Sequence, residues 1–332
     1  MCLVLPVLDL AQADQDPAAF RSLLREAAHD IGFFYLVGHG VPDAQIDEVL
    51  QLARTFFALP LEEKNEISQL KSPQFRGYSR LGGELTNGKV DWREQIDIGP
   101  QRPTIAGATG YWRLQGPNLW PARPAGFRAA FERWDAELAD VGLRLLRHWA
   151  VSLGAAENTF DAAFADKPAT LIKVVHYPGR DGYQQGVGAH KDSGVLTLLL
   201  LEPDSTGLQV ELPDGQWLDV PPLAGAFVVN IGELLEVATG GYLRATQHRV
   251  LAPQPGTDRV SIPYFVNPAL DATIPIIALP PELAARSRGV EADPNNPIFN
   301  TYGENAWKSR TRAHPDVAEL HHGITPGVPS SY

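Results

Sequence analysis

Three side chains in this sequence have the types and spacing to hold one metal ion. His190 and Asp192 stand two apart in Gly188-Ala189-His190-Lys191-Asp192, just ahead of an apolar, β-rich run. In extended chain alternate side chains share a face, so both can reach a single ion while Lys191 points away. His248, in Gln247-His248-Arg249-Val250 at the start of another β-rich run, is the candidate third ligand. Two imidazoles and one carboxylate on one side of a metal leave the other side open. That is the arrangement of non-haem Fe(II) oxygenases, in which dioxygen and an organic co-ligand bind together. Zinc hydrolases use the same donor types, so the donor set alone leaves the metal open.

Arg259 and Ser261 are again two apart in a β-rich run, eleven residues beyond His248. Projecting to one face, a guanidinium and a hydroxyl suit a carboxylate. A strand-edge Arg beside an incidental Ser is the ordinary alternative for that pair by itself. A second His-x-Asp, His314-Pro315-Asp316 with His321 and His322 nearby, is expected to be a helix start with Pro315 in its first turn and a solvated face. His39 is expected to fix a loop, His29 and His148 lie on expected helices with no partner suggested by spacing, and His176 is expected to face out.

The elements that must position these groups divide the chain into a helical first half and a β-rich second half. Asp16-Pro17 is an N-cap and first-turn pair for a helix running towards Gly32, Phe33 to Val37 reads as a strand, and further helices follow Pro42 and Pro60. The stretch from Ser72 to Pro124 has little periodicity beyond a short strand at Gln95 to Ile98. Phe127, Phe131, Trp134, Leu138, Val141, Leu145, Trp149 and Leu153 then recur at steps of three and four, the stripe of one long amphipathic helix. From Thr170 short β-rich runs follow closely: 171–177, 195–201, 208–211, 226–231, 246–251 and 260–265. Turn signals such as Pro213-Asp214-Gly215 separate them, which predicts an antiparallel sandwich or barrel rather than βαβ units. The part from Pro294 is polar and expected to wrap the outside.

With 39 acidic and 28 basic side chains the net charge is −11, and no Lys/Arg run is present, which argues against a nucleic-acid partner. The longest apolar run, Val195 to Leu201, is far too short to span a membrane. A single cysteine, Cys2, allows no intrachain disulfide, and the N-terminus does not read as a signal peptide. A reducing cytoplasm, where iron stays ferrous, is the expected location.

Taken in order, these pieces resemble the isopenicillin N synthase-like branch of the 2-oxoglutarate/Fe(II) oxygenases over nearly the whole chain. The resemblance is carried by Ile31-Gly32-Phe33-Phe34-Tyr35-Leu36-Val37-Gly38-His39-Gly40-Val41, Gly116-Pro117-Asn118-Leu119-Trp120-Pro121, Asn230-Ile231-Gly232-Glu233, Thr239-Gly240-Gly241, Gln247-His248-Arg249-Val250, Arg259-Val260-Ser261-Ile262-Pro263-Tyr264-Phe265 and Tyr302-Gly303-Glu304. It implies an α+β fold with a mainly β core: a distorted double-stranded β-helix (jelly roll) with a helical N-terminal region and a long backing helix. Its segments would be 1–120 (helical and loop), 121–165 (backing helix and connector), 166–275 (jelly-roll core) and 276–332 (C-terminal tail on the core). It also implies Fe(II) at His190, Asp192 and His248, with 2-oxoglutarate as co-substrate reaching Arg259 and Ser261, and O2 as oxidant. Tyr177 falls where the family places a tyrosine near the co-substrate; an aromatic strand end before a turn is the alternative, and both stay open. One departure bears on the co-substrate. Many 2-oxoglutarate users have Asn-Tyr-Tyr-Pro at this strand end, and here it reads Val175-His176-Tyr177-Pro178.

The implied reaction is hydroxylation, or a desaturating or cyclising variant, of a small and anionic metabolite. Arg76, Phe75, Tyr78, Trp92 and Phe265 are the candidate substrate contacts, with Arg76 suited to a substrate carboxylate. The alternatives are an isopenicillin N synthase-type oxidase or cyclase that uses no 2-oxoglutarate, a non-catalytic metal-binding jelly-roll protein, and a zinc hydrolase in which the Arg-x-Ser pair has no task.

Overall fold

A computed structural model describes residues 4–182, 185–290, 293–294 and 296–325. Cys2, on which the disulfide expectation rested, lies outside them. The chain begins with β1 (Val7–Asp9), α1 (Pro17–Asp30), β2 (Phe33–Val37), α2 (Asp43–Phe57) and α3 (Leu61–Asn65). Asp16 caps α1 as expected, accepting from the Ala19 N–H at 3.0 Å. Next come β3 (Gly77–Ser79), β4 (Leu85–Thr86), β5 (Lys89–Val90) and β6 (Glu94–Ile98), so the stretch read as largely irregular holds three further strands. They are two or three residues long, too short to show a period.

The apolar stripe forms α4 (Phe127–Ser152), with Phe131, Trp134, Leu138, Leu145 and Trp149 all fully buried. After α5 (Asp161–Phe164) the strands follow: β7 (Leu171–Pro178), β8 (Gln185–His190), β9 (Leu196–Leu201), β10 (Leu208–Glu211), β11 (Trp217–Asp219) and β12 (Phe227–Ile231). Then come α6 (Glu233–Ala238), β13 (His248–Leu251), β14 (Asp258–Val266), α7 (Pro281–Ala284), α8 (Tyr302–Ala313) and α9 (Pro315–His322). The six predicted runs all form strands, 208–211 without change and the other five offset by one or two residues at their ends. β8 and β11 were not predicted: β8 carries Gly186 and Gly188 in place of β-branched residues, and β11 has only three residues.

Two sheets make up the β core, with a separate two-stranded ribbon of β4 and β5. The larger runs β1-β2-β12-β9-β14-β7-β6-β3 and the smaller β11-β10-β13-β8. The first 120 residues are therefore not an appendage, since β1, β2, β3 and β6 belong to the large sheet. Alternation sorts its residues by face. Val260, Ile262, Tyr264 and Val266 of β14 join the core that includes α4, while Arg259, Ser261, Pro263 and Phe265 line a cavity on the other face. A second apolar cluster, including Phe33, Val175, Val187, Leu208 and Val250, draws on strands of both sheets. The C-terminal part does not simply wrap the outside. Trp307, Val317 and His314 are buried, and α8 lends Tyr302, Ser309 and Arg310 to the cavity wall. Among the described residues no helix is long and apolar enough to cross a membrane.

Candidate metal centre and anion cradle

β8 and β13 pair antiparallel with His190 directly opposite His248, so the register brings the two imidazoles to a ring separation of 4.3 Å. Asp192 lies just past β8 and presents Oδ1 at 3.6 Å from His190 Nε2 and 3.7 Å from His248 Nε2. Among the described residues this is the one group of three or more His, Cys, Asp or Glu side chains whose ligand atoms converge within 4.8 Å.

The surroundings leave those three atoms free. His190 Nδ1 lies 2.8 Å from the Gly188 carbonyl and His248 Nδ1 3.1 Å from the Thr246 carbonyl. A carbonyl can only accept, so each ring carries its proton on Nδ1 and keeps a lone pair on Nε2. Asp192 Oδ2 accepts from Thr197 Oγ1 at 2.6 Å and Asn230 Nδ2 at 2.8 Å, which turns Oδ1 to the imidazoles. Burial would raise the Asp192 carboxyl, but the imidazoles and Asn230 outweigh it and hold it well below the usual carboxylate range. Burial and the neighbouring His190 push His248 down to about 4. At His190 the hydrogen bond and charge of Asp192 outweigh burial and raise it. One carboxylate supports a single proton on the imidazole pair, and a cation seated among the three would take its place. Two neutral imidazole nitrogens, one ionised carboxylate oxygen and fixed outer partners suit a divalent ion such as Fe(II).

The loop bearing Asp192 is clamped from below. Gly232 N, Glu233 N and Leu234 N donate to the carbonyls of Val195, Asp192 and Gly194 at 2.9, 2.8 and 3.0 Å. The start of α6 thus spends its otherwise unpaired N–H groups on the metal loop. Approach is so close that a Cβ on Gly232 would sit 2.2 Å from the Gly194 oxygen. From the side, Asp91 Oδ1 accepts from the Gly188 N–H at 3.2 Å and from Gln185 Nε2 at 2.9 Å.

The cavity beside the triad measures about 1670 Å³. Arg259 and Ser261 open into it, both 2 % exposed. The Arg259 guanidinium stands 4.8 Å over the Tyr177 ring, its cross-strand partner in the β14–β7 register. Its Nη1 donates to the Thr206 carbonyl at 3.3 Å, and its Nε has no protein partner. Among the described residues no carboxylate pairs with it, and burial pushes it below its ordinary value. Such a buried cation beside a hydroxyl has the chemistry to take an anion.

Of the five candidate substrate contacts, Arg76 and Phe265 line the cavity. Phe75, Tyr78 and Trp92 do not. Phe75 adopts φ 59°, seldom seen in a bulky residue, and packs its ring against Trp307 and His322. Tyr78 donates its hydroxyl to Glu94 at 2.5 Å, and Trp92 donates to the Pro178 carbonyl at 3.0 Å while Arg180 covers its ring. Arg76 is buried against Gly99 and, among the described residues, has an unpartnered Nε and no carboxylate partner; burial and the charge of Arg310 lower it to about 10.

Two expectations for histidines are corrected. His314 starts α9 ahead of Pro315 as expected, yet it is fully buried, 3.8 Å from both Glu84 and Asp97. His176 does alternate away from Tyr177, but α2 covers it. It stacks on Phe57 and bridges Glu94 and Asp258, each at 2.8 Å. His39 holds its loop as expected, accepting from Val41 N and reaching the Gly225 carbonyl. His29 and His148 find partners no spacing indicated, the Tyr242 carbonyl and Arg21.

The sequence is similar to known proteins along most of its length. A family model for the non-haem dioxygenase in morphine synthesis N-terminal region matches residues 5–123, and one for the 2OG-Fe(II) oxygenase superfamily matches 169–268. The 2-oxoglutarate-dependent dioxygenase frbJ of Dothideomycetidae sp. (strain 11243) is 35 % identical over 95 % of this chain and 91 % of its own length. The chain belongs to the 2OG-Fe(II) oxygenase superfamily. Homoarginine-6-hydroxylase 2-ODD-C23 of Glycine max is 34 % identical over 81 % of this chain and 87 % of its own. The crystal structure of a full-length Neurospora crassa protein in complex with alpha-KG superposes with a TM-score of 0.74 at 26 % identity, covering 92 % of this chain and 97 % of its own. This superfamily member is accordingly an Fe(II)- and 2-oxoglutarate-dependent dioxygenase. Val175 in place of the common Asn does not remove the co-substrate.

Residues that sequence reasoning left without a role include Thr197 and Asn230 behind Asp192, Asp91 beside β8, and Glu233, Asn267 and Arg310 in the cavity wall. Asn230 and Glu233 stood in a quoted motif, but only the pairing of β12 with β9 brings Asn230 opposite Thr197.

Proposed function

We propose that His190 Nε2, Asp192 Oδ1 and His248 Nε2 hold the ferrous ion, and that Arg259 and Ser261 hold the far carboxylate of 2-oxoglutarate against the Tyr177 ring. The single observation that carries this is the Arg259 guanidinium, buried beside the triad with, among the described residues, an unpartnered Nε and no carboxylate partner. Burying such a charge alone is costly, and a bound dianion removes the cost. The iron, when bound, couples decarboxylation of 2-oxoglutarate to succinate and CO2 with insertion of one oxygen atom of O2 into a substrate C–H bond.

The chain's own residues bind and orient. Thr197 and Asn230 keep Oδ1 of Asp192 turned to the metal, and Val187, Leu208 and Val250 give the cradle apolar walls. Arg76 takes a substrate carboxylate at a second buried cation, with Phe265 flanking the substrate. The substrate is therefore a small, carboxylate-bearing, amino-acid-like molecule, and the Glycine max relative's name, a homoarginine hydroxylase, supports that class. The strands of 166–275 are read as a distorted double-stranded β-helix, to whose larger sheet β1, β2, β3 and β6 add. The segments 1–120, 121–165 and 276–332 would be its N-terminal region, backing helix and tail. A reducing cytoplasm fits a site that needs Fe(II).

Anaerobic titration with Fe(II) and 2-oxoglutarate tests the assignment. The metal-to-ligand absorption band of the iron chelate should form in the wild type, and Arg259→Ala should need far more 2-oxoglutarate to reach it. A band equally easily saturated in Arg259→Ala would sink the anchor, and no band at all would sink the metal site.

A further inference from the structure

We infer that Glu233 is the cation-binding end of the substrate site, so that the substrate carries, away from its carboxylate, an ammonium or guanidinium group. The inference rests on the reading of the cavity given above.

Glu233 opens α6, is 8 % exposed and lines the same cavity as His190 and Asp192. Its backbone N–H donates to the Asp192 carbonyl, so its side chain starts at the metal loop. Among the described residues its carboxylate makes neither a hydrogen bond nor an ion pair. The two nearest cations are occupied elsewhere: Lys191 reaches Glu236 at 3.3 Å, and Lys308 donates to the Pro297 carbonyl at 2.5 Å. Glu84, which lines the same cavity, is by contrast held by Lys173 at 2.6 Å and Arg93 at 3.1 Å. A buried carboxylate without a counter-ion is destabilising, and such groups in a cleft mark places where a ligand completes the charge.

Arg76 is its complement: buried, cationic and, among the described residues, without a carboxylate partner. Arg76 and Glu233 line the same cavity, so both subsites open to a single ligand. Yet Arg76 and Glu233 do not pair with each other. A ligand with separated charges would satisfy both and lay its middle carbons along the cavity between them.

The test compares L-homoarginine with L-homocitrulline, which replaces the guanidinium by a neutral ureido group of the same length. Binding is followed through the shift of the iron–2-oxoglutarate band under anaerobic conditions. Wild-type protein should bind homoarginine more tightly by at least about tenfold, and the ratio should fall towards one in Glu233→Gln. Equal binding in the wild type, binding of neither compound, or a ratio that survives in Glu233→Gln overturns the inference. Should Glu233→Gln not fold, the wild-type ratio and Glu233→Asp, which keeps the charge and should keep a preference, still decide it. If the band never forms in the wild type, the underlying site assignment fails instead.

Discussion

At His248 and His190 the chemistry is decided by atoms that are not ligands. Backbone carbonyls fix both protons on Nδ1, and two side-chain donors fix the free oxygen of Asp192. Replacing His190 or His248 by Ala should abolish iron retention and turnover, read by metal analysis after dialysis. Asn230→Ala should leave all three ligands in place yet weaken iron binding by roughly 10- to 100-fold, measured by competition with a chelator. Unchanged affinity would mean that Asn230 does not orient Asp192. In the anion cradle, Arg259→Ala should raise the half-saturating 2-oxoglutarate concentration by roughly 10- to 150-fold, the equivalent of one charge-assisted contact of ~1.5–3 kcal/mol. A change confined to kcat, with that concentration unmoved, would count against the anchor.

Among the elements, β8 and α6 have the most consequence for the site. β8 is glycine-rich and a poor strand by composition, and it is held by β13 on one side and by Asp91 hydrogen bonds at Gly188 and Gln185. α6 presses its first turn on the metal loop through three backbone hydrogen bonds. Gly232→Ala should therefore push Gly194 and its neighbours away. Overpacking of this kind costs about 1–3 kcal/mol, so both Tm and iron occupancy should fall. A variant with lowered Tm but full iron occupancy would show that the contact serves stability alone. Gly232 has φ −94°, so the lost space and not backbone strain is the cause.

Across the whole molecule, buried histidines set the response to acid. Burial lowers His29, His39, His148, His314 and His322, and takes His248 to about 4. In the unfolded chain each binds a proton near its ordinary value of about 6.5, whereas the folded state resists it. The unfolded state thus holds more protons in this window, and stability falls as pH drops below about 6.5 towards the folded values. His190, raised by Asp192, works in the opposite sense, its contribution being lost as pH rises through its folded value. Glu233, raised to about 7 by burial, and Asp135, raised by burial, act with His190; with six lowered histidines against these three, the urea midpoint of metal-free protein should fall between pH 7 and pH 5. A midpoint that rises on acidification would contradict the burial of these rings.

The sequence by itself pointed to the ligand types, the six β-rich runs that became β7, β9, β10, β12, β13 and β14, and the backing helix, because these rest on local spacing. Period two in 259–265 puts Arg259 and Ser261 on one face, and the three-four stripe from Phe127 writes α4. It also set the family, since the motifs occur in the family's order. Tertiary structure decided what depends on register and burial. Only the β8–β13 pairing places His190 opposite His248, and only the fold shows that Tyr78 and Phe75 are packing residues while Arg76 faces the cavity. His314 and His176 were misjudged for the same reason. A polar side chain carries no local sign of the distant carboxylates, Glu84, Asp97 and Asp258, that will surround it once the chain closes.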